Sequence, residues 1–258
     1  MGHAGYIDFH CHLDDPCFDG SRWRIITECF ASGFEKLVVV ADPHEERSLA
    51  LVDEMLSRHA AIDAIAGAHP HQADRYDARI EKRLLDFLER PRVRALGESG
   101  LDFHYDFSSR DGQIRVFERQ VAIAGEHSLP LVIHARRAEA QVLEILERAR
   151  FAPPVVFHCF TGARAEAEEI LARGYFLSFS GIITFKKAGE LREIVAQTPL
   201  DRLLSESDSP YLAPEPERGR TNSPLAVLRV AETIATIKNV DLNDLRDRIA
   251  ENCRRLWR

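Results

Sequence analysis

Residues 129–134 read LPLVIH and show most clearly how this chain is built. Three apolar residues follow a proline, and a histidine comes directly after them. A short apolar run of this kind indicates a buried strand. A histidine at the carboxyl end of such a strand is typical of the functional end of an α/β barrel. The rest of the chain repeats this arrangement.

Similar apolar runs recur along the whole chain and alternate with amphipathic helical patterns. They predict eight strands, at residues 5–9, 37–41, 64–68, 93–97, 129–133, 155–157, 175–179 and 203–206. Eight strands that alternate with helices predict an α/β fold, a (β/α)8 TIM-type barrel that forms one domain over residues 1–258. An open doubly wound sheet is the alternative, but the sequence lacks the glycine-rich phosphate turn that such sheets usually carry after an early strand.

The composition limits the possible partners and location of the protein. The 34 basic and 41 acidic residues give a net charge of −7, which excludes a broad electrostatic binder of nucleic acid. A polyanionic substrate must therefore be held locally. The five cysteines are dispersed, and no leader or long apolar span precedes the first strand. These features predict a cytoplasmic protein without a membrane partner.

Two histidines end the first strand, in the sequence Asp8-Phe9-His10-Cys11-His12. Alternate residues of a strand share a face, so His10 and His12 are expected to point together into the mouth of the barrel. Two imidazoles placed in this way can bind one cation. A single HxH motif is weak support for a metal site, because most such pairs are ordinary surface or core histidines.

Metal-compatible side chains also follow four other predicted strands: Glu98, His134, His158 and Asp208. With His10 and His12 they offer four nitrogens and two carboxylates, which suit two divalent ions, and we expect Glu98 to bridge them. Two adjacent ions can activate water and stabilise the attacking and leaving oxygens of a phosphate ester. Asp208 is a candidate both for metal binding and for accepting the proton of the attacking water.

With these residues the chain resembles the TatD family of metal-dependent deoxyribonucleases, which belongs to the amidohydrolase-like barrels. The resemblance runs from Ile7 to the last helix and rests on motifs that occur in the family's order. They are DFHCHLD (8–14), GAHPH (67–71), GESGLD (97–102), PLVIHAR (130–136), HCFTG (158–162), ESDSPYL (206–212) and RGRTN (218–222). Ser99, Ala135 and Thr221 depart from the usual family pattern, and none of them is a candidate ligand.

The resemblance implies that His10 and His12 bind one metal with Asp208, and that His134 and His158 bind the other. It also implies that Glu98 bridges the two and that His69 meets the substrate phosphate or leaving group. The implied activity is removal of nucleotides from the 3′ end of single-stranded DNA, with magnesium as the usual metal. Manganese and zinc also suit these ligand types.

Substrate contacts are predicted in the loops that follow the strands. The basic candidates for phosphate binding are Arg136, Lys186, Arg218 and Arg220. The aromatic residues Phe103, Phe160, Phe185 and Tyr211 are candidates either for stacking on a base or for packing beneath a loop. Two other functions share the same residues: an amide or ester hydrolase, such as an aminoacyl deacylase, and a non-catalytic subunit of a larger assembly.

Overall fold

The computed structural model of the protein describes residues 2–257. Its centre is an eight-stranded parallel sheet in which the strands lie side by side in chain order. The strands are β1 (Tyr6–Cys11), β2 (Phe34–Ala41), β3 (Ile62–Ala66), β4 (Val93–Asp102), β5 (Leu131–Arg136), β6 (Val155–Phe157), β7 (Phe176–Phe179) and β8 (Leu203–Ser205).

Helices connect the strands and continue after the last one. The α-helices are α1 (Arg22–Ala31), α2 (Glu46–Arg58), α3 (Ala78–Leu88), α4 (Arg110–Glu126), α5 (Glu139–Arg148), α6 (Arg164–Ala172), α7 (Gly189–Gln197), α8 (Ala226–Lys238) and α9 (Leu242–Leu256). Short 3-10 helices lie at Pro16–Phe18, Pro70–Arg75, Gly181–Thr184 and Leu200–Arg202. Among residues 2–257, no helix combines the length and the apolar character that a bilayer span requires.

Hydrogen bonds join the first strand to the segment that follows the last one. The Asp208 amide donates to the His10 carbonyl at 3.0 Å, and the His12 amide donates to the Ser209 carbonyl at 2.7 Å. The sheet therefore curves round until β1 meets the end of β8, as in the predicted TIM-type barrel. The strands are covered on both faces, which explains why they read as continuous apolar runs in the sequence.

The predicted strand positions are correct, but several bounds are wrong. β4 continues to Asp102 instead of stopping at residue 97, so Glu98 lies inside this strand and not after it. Its second half pairs with β5, from Ser99 opposite Ile133 to Asp102 opposite Arg136. Glycine and polar residues suggested a loop here, and pairing with the neighbouring strand overrides that local preference. β1 likewise extends to Cys11, so His10 lies within the strand.

Candidate metal centre

The loop after β8 is held in place by a buried carboxylate on β1. Asp8 accepts hydrogen bonds from the Ser207 amide at 2.8 Å and from the Ser207 hydroxyl at 2.6 Å. Asp208 follows directly, with a left-handed backbone (φ 52°) that is uncommon for a residue with a side chain. Together with the hydrogen bond from the Asp208 amide to the His10 carbonyl of β1, these contacts fix the direction in which the Asp208 carboxylate points.

Three side chains at the junction of β1 and β8 form the first group of candidate ligands. The Nε2 atoms of His10 and His12 lie 3.3 Å apart, as expected for alternate residues on one face of a strand. Asp208 Oδ1 lies 3.5 Å from His12 Nε2 and 4.0 Å from His10 Nε2. One ligand atom from each of the three lies within 4.8 Å of the other two, which is compact enough for a shared cation.

The second group consists of Glu98, His134 and His158. Glu98 Oε1 lies 2.9 Å from His134 Nδ1 and 2.8 Å from His158 Nε2. The other carboxylate oxygen, Oε2, faces the first group, at 3.3 Å from His10 Nε2 and 3.7 Å from His12 Nε2. Each oxygen of Glu98 thus faces one pair of histidines, and this carboxylate joins the two groups.

Two further carboxylates lie behind the second pair of histidines. Asp102 Oδ2 lies 3.1 Å from His134 Nε2, and Glu206 Oε1 lies 3.3 Å from His158 Nδ1. In both rings the nitrogen that faces away from Glu98 has an acidic acceptor. A histidine that ligates a metal usually donates its other ring N–H to such a group, which fixes its tautomer and orientation. The donor set and its outer carboxylates therefore fit divalent cations.

The electrostatics of the centre support this fit. Burial opposes charge on Glu98, but the imidazoles of His158 and His69 hold its pKa well below the usual range. Burial also opposes protonation of His12, yet Asp208 and Glu98 raise the pKa of His12 to about 9. The imidazoles likewise hold the pKa of Asp208 low against burial, so Glu98 and Asp208 are anionic at neutral pH. Positive charge is therefore needed among the imidazoles, either from protons or from metal ions.

His69 lies beside the second group with a defined tautomer. Its Nδ1 accepts a hydrogen bond from the His71 amide at 3.1 Å, so the ring proton of the neutral form is on Nε2, which lies 3.2 Å from Glu98 Oε1. Burial lowers the pKa of His69 to about 4 despite the nearby carboxylate, so the ring is neutral at pH 7. His69 can therefore donate an N–H hydrogen bond at the edge of the centre.

The predicted substrate-binding residues lie at the carboxyl ends of the strands or in the loops that follow them. Arg136 ends β5, Lys186 follows β7, and Tyr211, Arg218 and Arg220 follow β8, and all five side chains are exposed. Tyr211 is 55% exposed, and its ring lies 5.9 Å from the ring of His12. Arg218 lies over the Phe185 ring. Among the aromatic candidates, Phe160 is only 3% exposed and packs in the core, so it is not available for stacking.

Sequence reasoning missed Asp102 and Glu206, and it left His71 unassigned. Glu206 carried a usable signal, because it lies two residues before Asp208 and is an acidic residue within an apolar strand pattern. Burial of such a group without a partner is strongly unfavourable, so a partner was to be expected. Asp102 carried none, because its contact with His134 depends on the pairing of β4 with β5.

Comparison with known proteins places the chain in a family. The family described as TatD related DNase matches residues 7–258. The chain belongs to the TatD family. Among its relatives, the 3′-5′ ssDNA/RNA exonuclease TatD of Erwinia tasmaniensis is 38% identical over 260 residues, which covers 97% of this chain and 99% of the relative. An uncharacterized metal-dependent hydrolase of Bacillus subtilis, YabD, is 36% identical over 253 residues, with 98% of both chains covered.

Solved structures of TatD proteins share the same architecture. YJJV, a TatD homologue from Escherichia coli K12, superimposes with a TM-score of 0.91 at 28% identity and covers 98% of this chain and 97% of its own. The TatD-family assignment makes this chain a metal-dependent hydrolase, and its predicted barrel and family are confirmed. The His, Glu and Asp groups described above are the candidate metal ligands.

Proposed function

We propose that the protein is a two-metal phosphodiesterase that removes nucleotides from the 3′ end of single-stranded DNA. The observation that carries this proposal is the position of Glu98 between two pairs of histidines, with one carboxylate oxygen facing each pair. One carboxylate shared by two ligand groups suits a pair of adjacent cations better than a single ion.

The ligand assignment follows from this geometry. His10, His12 and Asp208 would hold one ion, His134 and His158 the other, and Glu98 would bridge both. Ions bound there would acidify a water molecule and neutralise the charge of the phosphodiester. Magnesium is the proposed metal, and manganese and zinc belong in any test because imidazole-rich ligand sets also bind them.

The chain's own residues supply the remaining steps. Asp208 is the proposed acceptor of the water proton, because the imidazoles around it hold its pKa low against the effect of burial and so keep the carboxylate ionised and free to accept a proton. His69 is the proposed donor of a hydrogen bond to a phosphate or leaving-group oxygen through Nε2–H. Arg136, Lys186, Arg218 and Arg220 are the proposed phosphate contacts, and Tyr211 is a proposed contact to a base.

The substrate and setting are inferred from several features. Relatives are named 3′-5′ ssDNA/RNA exonucleases, so RNA is a second candidate strand. The net charge of −7 makes a long duplex track unfavourable and supports binding of a strand end by a few local cations. The five free cysteines support the predicted cytoplasmic setting, in which thiols stay reduced.

Digestion of end-labelled oligonucleotides tests the proposal. Single-stranded DNA, duplex DNA and RNA, each labelled at the 5′ end, are incubated with purified protein and Mg²⁺, Mn²⁺ or Zn²⁺. We expect a ladder of products shortened from the 3′ end of the single strand, and a loss of rate of about 100-fold or more in Asp208→Asn. The matched control is Asp247→Asn, which removes a carboxylate that binds Ala4 and His3 away from the centre.

The other outcomes identify the alternative functions. Turnover of carbonyl esters or aminoacyl bonds without loss of DNA would indicate an amide or ester hydrolase on the same centre. Absence of every hydrolytic activity, together with absence of metal binding, would indicate a non-catalytic subunit. Full DNA cleavage by Asp208→Asn would refute the proposed role of Asp208.

A further inference from the structure

Two exposed aromatic side chains form a small patch in the loop between β4 and α4. Tyr105 and Phe107 are 39% and 66% exposed, and their rings stack with centroids 5.4 Å apart. We call this pair the aromatic shelf. Large apolar side chains are normally buried, and the hydrophobic core does not include either ring. The exposure of two stacked rings side by side therefore indicates a binding surface.

The aromatic shelf is connected to the candidate metal centre through His71. The His71 ring lies 4.8 Å from the ring of Phe107 and 5.7 Å from that of Tyr105. On its other side it lies 5.8 Å from the ring of His134, a proposed ligand. A single ring, that of His71, thus contacts both the aromatic shelf and a proposed metal ligand.

The buried carboxylate of Asp102 contacts both the loop that carries the aromatic shelf and a proposed metal ligand. Asp102 Oδ1 accepts hydrogen bonds from the His104 amide at 2.9 Å and the Tyr105 amide at 3.0 Å. Its other oxygen, Oδ2, binds His71 at 2.8 Å and His134 at 3.1 Å. The aromatic shelf is therefore positioned relative to the centre by contacts to the same buried side chain.

The chemistry around the shelf favours a nucleotide over an apolar protein partner. The guanidinium of Arg136 lies over the Tyr105 ring, 4.9 Å from its centroid, so a cation covers one face of Tyr105, and Phe107 is the more exposed ring of the shelf. The other neighbours, His71, His104 and Asp106, are polar or charged. An aromatic face beside a cation matches a base attached to a phosphate, and every base offers a π-face for stacking.

We propose that the aromatic shelf stacks on an unpaired base adjacent to the phosphodiester that is cleaved. This inference rests on the proposed function. It identifies a structural reason for a preference for single strands, because a base in a duplex is paired as well as stacked, and its pair must open before the base can reach Phe107.

An abasic substitution cycle tests the proposal. Wild-type protein and Phe107→Ala are compared on a single-stranded oligonucleotide and on the same strand with abasic nucleotides near its 3′ end. We expect wild type to lose about 5- to 100-fold in kcat/KM on the abasic strand. Phe107→Ala should show a similar loss on the normal strand, and no further loss on the abasic one. Phe107→Leu, which keeps apolar bulk without a ring, should behave like Phe107→Ala, whereas Phe107→Trp should retain the base preference.

A binding measurement adds a readout that does not depend on catalysis. A 2-aminopurine base near the 3′ end of the strand is titrated with protein in EDTA, and stacking is detected as quenching of its fluorescence. We expect quenching by wild type and its loss in Phe107→Ala and Tyr105→Ala. The matched control is Tyr175→Ala, which removes a tyrosine just before β7, at the opposite end of the barrel.

The outcomes separate this proposal from the proposed function. If wild type neither cleaves nor binds any oligonucleotide, the proposed function is wrong. If wild type cleaves single strands but is insensitive to abasic nucleotides, or if Phe107→Ala retains full base preference, the aromatic shelf does not stack on bases. If light scattering instead shows that Phe107→Ala converts a dimer into a monomer with base preference unchanged, the surface is a contact between copies of the chain, and the proposal is overturned.

Discussion

Replacing Glu206 by glutamine tests whether the carboxylate behind His158 supports metal binding. Both side chains are buried, and Glu206 Oε1 lies 3.3 Å from His158 Nδ1. A hydrogen bond to a charged group is worth about 1.5–3 kcal/mol, and the length of this one places it near the lower end. Glutamine keeps an oxygen that can accept this hydrogen bond but loses the charge, so the expected loss is about 1 kcal/mol, which corresponds to metal binding that is roughly fivefold weaker. Complete loss of the partner behind a metal-ligating histidine typically weakens metal binding by about 10- to 100-fold, and glutamine, which keeps an acceptor, should cost less.

The same substitution should have a different effect on the protein without metal. Glu206 is fully buried, and its Oε2 has no hydrogen-bond partner among the described residues. The desolvation of this carboxylate opposes folding, so glutamine should leave the free energy of unfolding unchanged or raise it by up to about 1 kcal/mol. Weaker metal binding combined with an undiminished stability of the metal-free protein distinguishes support of the metal site from a purely structural role.

Two measurements check this prediction. Metal affinity is measured by competition with a chromophoric chelator, and stability by urea unfolding with EDTA and with saturating Mn²⁺ or Zn²⁺. The matched control is Asp63→Asn, another buried carboxylate, which pairs with Lys36 at 2.6 Å and Arg94 at 3.2 Å. The control should lower stability without changing metal affinity. Metal affinity of Glu206→Gln within twofold of wild type would show that the Glu206 carboxylate does not support metal binding.

Three further predictions follow from the structure. Burial lowers the pKa of His12, but neighbouring carboxylates raise it to about 9, so below that pH a proton competes with the metal ion for this ring. The affinity of the protein for metal should therefore rise with pH up to about pH 9, by up to about tenfold per pH unit for this ring. Calorimetry in two buffers of different protonation heat should detect proton release at about pH 7.5, and a pH-independent affinity would contradict this. Gly100→Ala should lower the free energy of unfolding by about 3 kcal/mol or more, because Gly100 has a φ of 145° and a Cβ there would collide with the His134 carbonyl. Gly125 has open space around it, so Gly125→Ala should raise the free energy of unfolding, measured with urea, by about 0.5–1 kcal/mol. Arg220→Ala should raise KM for DNA about 3- to 10-fold without changing kcat and should reduce the salt dependence of KM, if this exposed side chain binds phosphate.

The barrel and the convergence of the candidate ligands could be predicted because both depend on local patterns. Parallel strands that are buried on both faces appear as short apolar runs, and their carboxyl ends meet at one edge. His10 and His12 were placed together by the alternation of side chains in a strand, and the structure has their Nε2 atoms 3.3 Å apart. Such patterns need no knowledge of which distant residues become neighbours.

Other features depend on tertiary contacts that one sequence does not reveal. The extension of β4 through Glu98 to Asp102 requires pairing with β5 and a change of register between Leu96 and Ser99. The exposure of Phe107, and the burial of Phe160 at 3%, depend on how the loops fold back on the barrel. Aromatic residues in loops carry no local signal that separates stacking on a ligand from packing beneath the loop.

The proposed two-metal function requires one carboxylate, Glu98, to join two cation sites. Anomalous diffraction from crystals grown with Mn²⁺ or Zn²⁺ tests it most directly. The predicted result is two peaks on opposite sides of Glu98, each about 2.0–2.3 Å from its nearest ligand atoms, one beside His10, His12 and Asp208 and the other beside His134 and His158. A single peak under saturating metal, or peaks that do not share Glu98, would rule out a two-metal centre bridged by Glu98.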